Sequence, residues 1–211
     1  MAKIPYGLMG PVIGKVGSIV GCNGKNGPYI RALPKKRKDR PTPLQKLQRA
    51  RFVAASRFVT PMRALLNISF YKESSKKPAV ALACSYILKN AVYASGTRQK
   101  IRFSSVLVSQ GYLPPAVTAS AVVSAPHSIT FTWTSITGLG KSSDRDRAIM
   151  VVYCEYLKKC AYIIDGASRN AGTDIIQIPG FSGKTVQTWL GFISDNGREI
   201  APSVYTGELK L

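Results

Sequence analysis

Acidic residues and histidine are scarce in this 211-residue chain. Ten Asp and Glu stand against thirty Lys and Arg, and His127 is the single histidine. One histidine and no CxxC pair exclude the usual zinc-site spacings. The four cysteines are spread out: Cys22 and Cys84 stand alone, and Cys154 and Cys160 bracket Glu155-Tyr156-Leu157-Lys158-Lys159. The latter two are read as reduced strand residues, with pairing across a hairpin as the alternative in an oxidising setting. No apolar run approaches the roughly 18 residues of a membrane span. The first residues, Met1-Ala2-Lys3-Ile4-Pro5-Tyr6-Gly7, lack the order of a secretory signal. The expectation is a cytoplasmic protein, or one within a particle, with no membrane span and no signal peptide.

The scarcity of catalytic side chains argues against an enzyme. His127 follows Pro126 at a strand entry, a turn position. Asp144 and Asp146 are the closest acidic pair, but they alternate with Arg145 and Arg147, so a loop with local ion pairs is expected. Gly14-Lys15, Gly24-Lys25, Gly140-Lys141 and Gly183-Lys184 lack the leading glycine and the flanking elements of a phosphate-binding loop. No catalytic residue, metal site or cofactor is expected.

What the chain does have is positive charge, unevenly placed. Residues 1–110 hold 21 Lys/Arg against two acids, Asp39 and Glu73, whereas residues 111–211 hold nine against eight. A field of that size attracts polyanions, and each neutralised phosphate releases counterions.

Three stretches follow from local pattern: 1–41, 42–110 and 111–211. The first is rich in Gly and Pro, with β-like pieces at Val16–Val20 and Pro28–Leu33. It ends in Pro34-Lys35-Lys36-Arg37-Lys38-Asp39-Arg40-Pro41, whose like charges and prolines predict an extended basic arm. The second stretch opens with Thr42-Pro43-Leu44-Gln45, a capping box, and predicts a helix over 42–68 that kinks or restarts at Pro61. Leu44, Leu47, Ala54, Ala55, Phe58, Met62, Leu65 and Leu66 form its apolar face; Lys46, Arg49, Arg57 and Arg63 lie opposite. Arg51 and Val53 break the segregation. A second helix is expected over about 78–93.

From Ile101 the pattern turns to strands. Ile101–Phe103 and Val106–Val108 are β-like, and Ser128–Thr134 alternates strictly. Ala148–Cys154 is fully apolar. Cys160–Ile164, Asp174–Ile178, Thr185–Ile193 and Val204–Leu209 follow, with a turn at Asp195-Asn196-Gly197-Arg198 between the last two. The fold class expected is therefore α+β: a basic N-terminal region with amphipathic helices, then an antiparallel β-sandwich.

The run of SITFTWT, AIMVVYC, TVQTWLGFISDNG and SVYTGEL resembles fibronectin type III and immunoglobulin-like modules, though no tyrosine corner is evident around Pro179-Gly180-Phe181. Over nearly its full length the chain also resembles an uncharacterised domain-of-unknown-function family of Bacteroidota. KIPYGLMGPVIGKVGSIVG, YIR, RPTPLQKLQRARF, VLVSQGYLP and GKTVQTWLGFISDNG carry that likeness. It implies a helical or mixed first part and a sandwich after it, with no activity attached. RPTPLQKLQRARF is further similar to segments of phage structural proteins.

Two functional expectations result. In one, the protein binds DNA or RNA largely without sequence preference, through Arg31, Lys35, Lys36, Arg37, Lys38, Arg40, Lys46, Arg49 and Arg57, with Tyr29 and Arg31 adding stacking. In the other, it is a building block of a homomeric or phage-like assembly, and the basic arm contacts a neighbouring subunit or an acidic protein surface.

Overall fold

A computed structural model describes residues 2–5, 7, 10–35, 39–70, 77–96, 98–135 and 142–211. The chain forms two compact units, Met1–Thr42 and Pro43–Leu211. The architecture is α+β, and its sheets are antiparallel.

The first unit is a three-stranded meander of β1 (Gly14–Val16), β2 (Ile19–Gly24) and β3 (Gly27–Ala32). The expected Val16–Val20 strand is split by a turn at Gly17-Ser18, where Gly17 takes a left-handed φ of 54°. Register aligns Lys15, Val20 and Arg31, sets Cys22 opposite Tyr29, and aligns Val16, Ile19 and Ala32. Because strand side chains alternate, Lys15, Tyr29 and Arg31 share one face, and Val16, Ile19 and Ile30 share the other. Gly21 is required here, since a Cβ on it would lie 1.8 Å from the Val12 carbonyl oxygen.

The second unit opens with α1 (Pro43–Val59), starting where the capping signature places it. Pro61 sits in a 3-10 turn, Thr60–Met62, that separates α1 from α2 (Arg63–Ser69). Proline's missing N–H makes this the natural point of interruption. The apolar face of α1 is core only from Ala55 onward: Leu44 is 74% exposed and Leu47 41%, which corrects the expected stripe. Arg51 breaks the pattern for a reason. Its Nη2 donates to the Leu88 carbonyl at 2.9 Å, in the last turn of α3 (Ala79–Asn90), where carbonyls lack helical partners. α3 stops three residues short of Tyr93, because Val92–Ser95 forms β4, paired with β5 (Arg98–Ile101).

Val106–Val108, expected as a strand, joins no ladder. Side chains satisfy its backbone instead: Ser69 Oγ donates to the Val108 carbonyl, and Val108 N–H donates to Ser203 Oγ at 2.8 Å. Phe103–Ser105 is a 3-10 turn rather than the end of a strand.

Seven strands complete the unit. β6 (Val117–Ala125), β7 (Ser128–Thr134) and β10 (Thr173–Gln177) pair in the order β10-β7-β6. β8 (Arg147–Cys154), β9 (Lys159–Ile163), β11 (Thr185–Ile193) and β12 (Val204–Lys210) pair as β12-β11-β8-β9. Alternation along β8 divides two cores. Ala148, Met150, Val152 and Cys154 pack with Phe131, Trp133 and Ile176 of the three-stranded sheet. Ile149, Val151 and Tyr153 pack with Phe58, Leu65 and Ile87 of the helices. The four-stranded sheet is thus covered on both faces, which is why β8 is apolar from Ala148 to Cys154. The Asn196-Gly197 turn does lie between the last two strands, with Gly197 at φ 70°, but it caps a longer loop over 194–203.

Candidate nucleic-acid interface

The charge gradient along the sequence becomes a gradient in space within the second unit. The described residues of 43–110, which carry the helices and the β4–β5 hairpin, hold ten Lys/Arg and no acid. They contribute the outer side of the helical core, whereas the nearly neutral residues 111–211 form the two sheets.

A cleft of about 520 Å³ opens where this cationic layer meets the β8–β9 turn. Ala50, Val53, Ala54 and Arg57 of α1 form one wall, and Arg98, Gln99, Lys100 and Ile101 of β5 another; Glu155 and Lys158 of the turn close it. Four cations and one carboxylate therefore surround it. Arg57, Arg98, Lys100 and Lys158 are all exposed, and none pairs with a carboxylate among the described residues.

The cleft's deeper lining is aromatic. Phe58 and Tyr153 meet edge to face at 4.8 Å, and Phe103 lies 6.0 Å from Phe58 and 6.1 Å from Tyr153. Phe58 and Tyr153 are buried, and Phe103 is half-buried. Burial, reinforced by the charge of Glu155, pushes the Tyr153 hydroxyl up to about 12. Lys158 takes a φ of 53°, a left-handed conformation that L side chains adopt rarely and glycine readily.

Of the residues expected from sequence, Arg57 lines the cleft, and Lys46 and Arg49 lie on the same face of α1 about three and two turns before it. Arg31 is exposed on β3, beside Tyr29 and Lys15 on one sheet face; Lys35 and Arg40 are exposed outside regular structure. These three belong to the first unit. Lys36, Arg37 and Lys38 lie outside the described residues. Arg98, Lys100 and Lys158 were not singled out from sequence. The spacing Arg98-Gln99-Lys100 on a short strand was a readable signal, but its nearness to Arg57 is a long-range fact.

The other candidates resolve into structure. Asp146, expected in local ion pairs, is buried against a distant partner: Arg169 Nε donates to its Oδ2 at 3.1 Å. Arg169 also stacks 3.9 Å above the Phe192 ring and donates to the Pro114 carbonyl. Arg147 pairs with Asp165. His127 sits in the β6–β7 turn, and its carbonyl accepts from Ile178 N–H. Cys154 and Cys160 are free thiols. Register sets Cys160 opposite Tyr153, so the two cysteines face opposite sides of the sheet and cannot bridge. Gly140-Lys141 lies outside the described residues, and Lys184 rests over the Tyr156 ring. Among the described residues, no helix is long and apolar enough to cross a membrane, and no three His, Cys, Asp or Glu side chains cluster as metal ligands would.

A protein-family model described as a family of unknown function (DUF6266) matches residues 11–207. The chain belongs to this family. The match takes in every residue of the cleft, residues 11–42 of the first unit and all but the last four residues of the second. No curated protein matches the chain.

Proposed function

We propose that this protein is a non-enzymatic nucleic-acid-binding protein that grips the phosphate backbone with little regard to sequence. The observation that carries the reading is the cleft: four cations from three elements, none paired with a carboxylate among the described residues, converge there, in a helical region whose described residues hold ten Lys/Arg and no acid. Solvated basic faces are common, but convergence on one concavity over an aromatic floor is not what solubility alone requires. The chemistry of catalysis has no place in this reading. His127 serves a turn and Asp146 is neutralised by Arg169. A cytoplasmic setting, or the interior of a particle, accords with such a partner.

The scaffold is read as a sandwich of the fibronectin type III or immunoglobulin kind. What supports it is strand order: the first, second and fifth of the seven strands share one sheet, and the third, fourth, sixth and seventh share the other.

Binding is measured by fluorescence anisotropy of a labelled oligonucleotide with nuclease-treated protein. Affinity should fall about 10- to 100-fold or more between about 50 and 200 mM salt, as release of several counterions dictates. A chain that ignores nucleic acid at the lower salt refutes the proposal.

A second reading, assembly into a homomeric or phage-like structure, has its own support. The small first-unit sheet leaves Val16, Ile19 and Ile30 exposed, at 46%, 38% and 59%, on one face. Isolated small sheets need a covered apolar face for stability. Light scattering of the nuclease-treated protein distinguishes the two, since only the second requires a large particle without nucleic acid.

A further inference from the structure

We infer that the cleft between α1, β5 and the β8–β9 turn receives one unstacked nucleotide, so that the protein selects single-stranded over duplex nucleic acid. This rests on the nucleic-acid reading and specifies its ligand.

Shape is the first argument. A cleft of about 520 Å³ falls within the range of small-ligand sites and far exceeds what a phosphate contact alone would need. A duplex keeps its bases stacked inside and offers only backbone to a concave surface, unless a base is flipped at a cost. A single strand has bases free to enter.

The lining is the second. Cations stand at the rim on three separate elements, Arg57 on α1, Arg98 and Lys100 on β5, and Lys158 on the turn. Half-buried Ile101 and Phe103, backed by buried Phe58 and Tyr153, line the cleft between them. That is the division of labour a nucleotide imposes: phosphate outside on cations, base inside on an aromatic surface. Glu155, the single carboxylate, supplies an acceptor for a base amino group or a sugar hydroxyl.

The third is the turn itself. Lys158 occupies a left-handed position at φ 53°, where glycine would sit without strain. Its ammonium group at the rim is what a glycine there would remove. Beyond the cleft, Lys46 continues the α1 face that bears Arg57, which gives neighbouring phosphates a path and favours a strand over a free nucleotide.

The test uses the full chain and two probes, a labelled oligothymidylate of about 12 nucleotides and a duplex of equal length, at about 50 mM salt. The variants are Lys158→Gly, which relieves the turn, and Lys158→Gly combined with Arg98→Gln, which removes a second exposed charge. The wild-type chain should prefer the single strand. The double variant should lose about tenfold or more for the single strand, and markedly less for the duplex, with its thermal midpoint unchanged or raised. Equal losses on both probes would overturn the cleft assignment and leave general phosphate binding standing. So would an unchanged single-strand affinity. A thymidine mononucleotide that displaces the strand at a matching nucleotide concentration would also overturn it, in favour of a small-molecule site. Absence of binding to either probe by the wild-type chain would instead sink the broader reading.

Discussion

Asp146 shows how a residue's role can be set by a partner its local sequence does not contain. Its neighbours Arg145 and Arg147 invite local pairing, yet its carboxylate accepts from Ser143 N–H and from Arg169, 23 residues on. Asp146 and Arg169 are both buried, and burial pulls the Arg169 guanidinium below its ordinary range against the opposing pull of Asp146. Removing one member of such a pair strands the other charge, which costs about 3–5 kcal/mol. Asp146→Ala should therefore lower unfolding stability by about that much in a urea titration, and Asp146→Asn by nearly as much, since Arg169 stays uncompensated. A second residue-scale prediction concerns alkaline pH. Burial raises the Cys160 thiol from 9.0 to about 12, and burial with Glu155 raises the Tyr153 hydroxyl from 10.0 to about 12. Both groups are neutral when protonated, so the unfolded chain ionises first. The stability they contribute is full below pH 9 and is lost as pH climbs from there towards 12. Denaturant midpoints measured across that window should fall, and Cys160→Ala should flatten the part that begins near pH 9. A midpoint that stays constant to pH 11 contradicts the desolvation of the buried Tyr153 and the partly buried Cys160.

At the scale of elements, legibility followed how local the cause was. Thr42-Pro43 marked the start of α1 and Pro61 its interruption, because capping and the missing proline N–H act within a turn. Ser128–Thr134 and Ala148–Cys154 were readable as strands from period and composition. That β8 is buried on both faces, by helices on one side and a second sheet on the other, was not readable. Neither was β6, whose Ala- and Ser-rich sequence carries little β signal until it pairs with β7. Val106–Val108 erred the other way: its apolar β-branched residues read as a strand, but long-range hydroxyls replace the ladder. Ser203 Oγ accepts from both Val108 N–H and Ser109 N–H, at 2.8 and 3.3 Å. Ser203→Ala leaves two buried donors without that acceptor, for an expected cost of about 1–3 kcal/mol. Hydrogen exchange of those two amides should quicken while amides in β8 keep their protection. If exchange at 108 and 109 is unaltered, ladder-like bonding must hold this segment after all.

At the scale of the molecule, the unequal charge of the two halves was legible from residue counts alone, and the fold turns it into a cationic helical layer backed by nearly neutral sheets. The cleft was only half legible: Arg57 stood out on its helix, but Arg98, Lys100 and Lys158 join it through packing across the chain. The first unit poses the matching question for Lys35-Lys36-Arg37-Lys38, four cations in a row beside Arg40. Counterion release makes this a question of slope rather than of affinity. Each phosphate neutralised contributes about 0.7 to the slope of log affinity against log salt on a single strand and about 0.9 on a duplex. Changing all four cations to Gln should then reduce the slope by about three if every one meets a phosphate. Because the charges act at long range even without contact, a loss of affinity at one salt concentration would not separate contact from field, whereas the slope does. A weaker complex with an unchanged slope assigns these residues to steering and places the phosphate contacts on the helical layer. A slope reduced by about three puts the arm on the backbone.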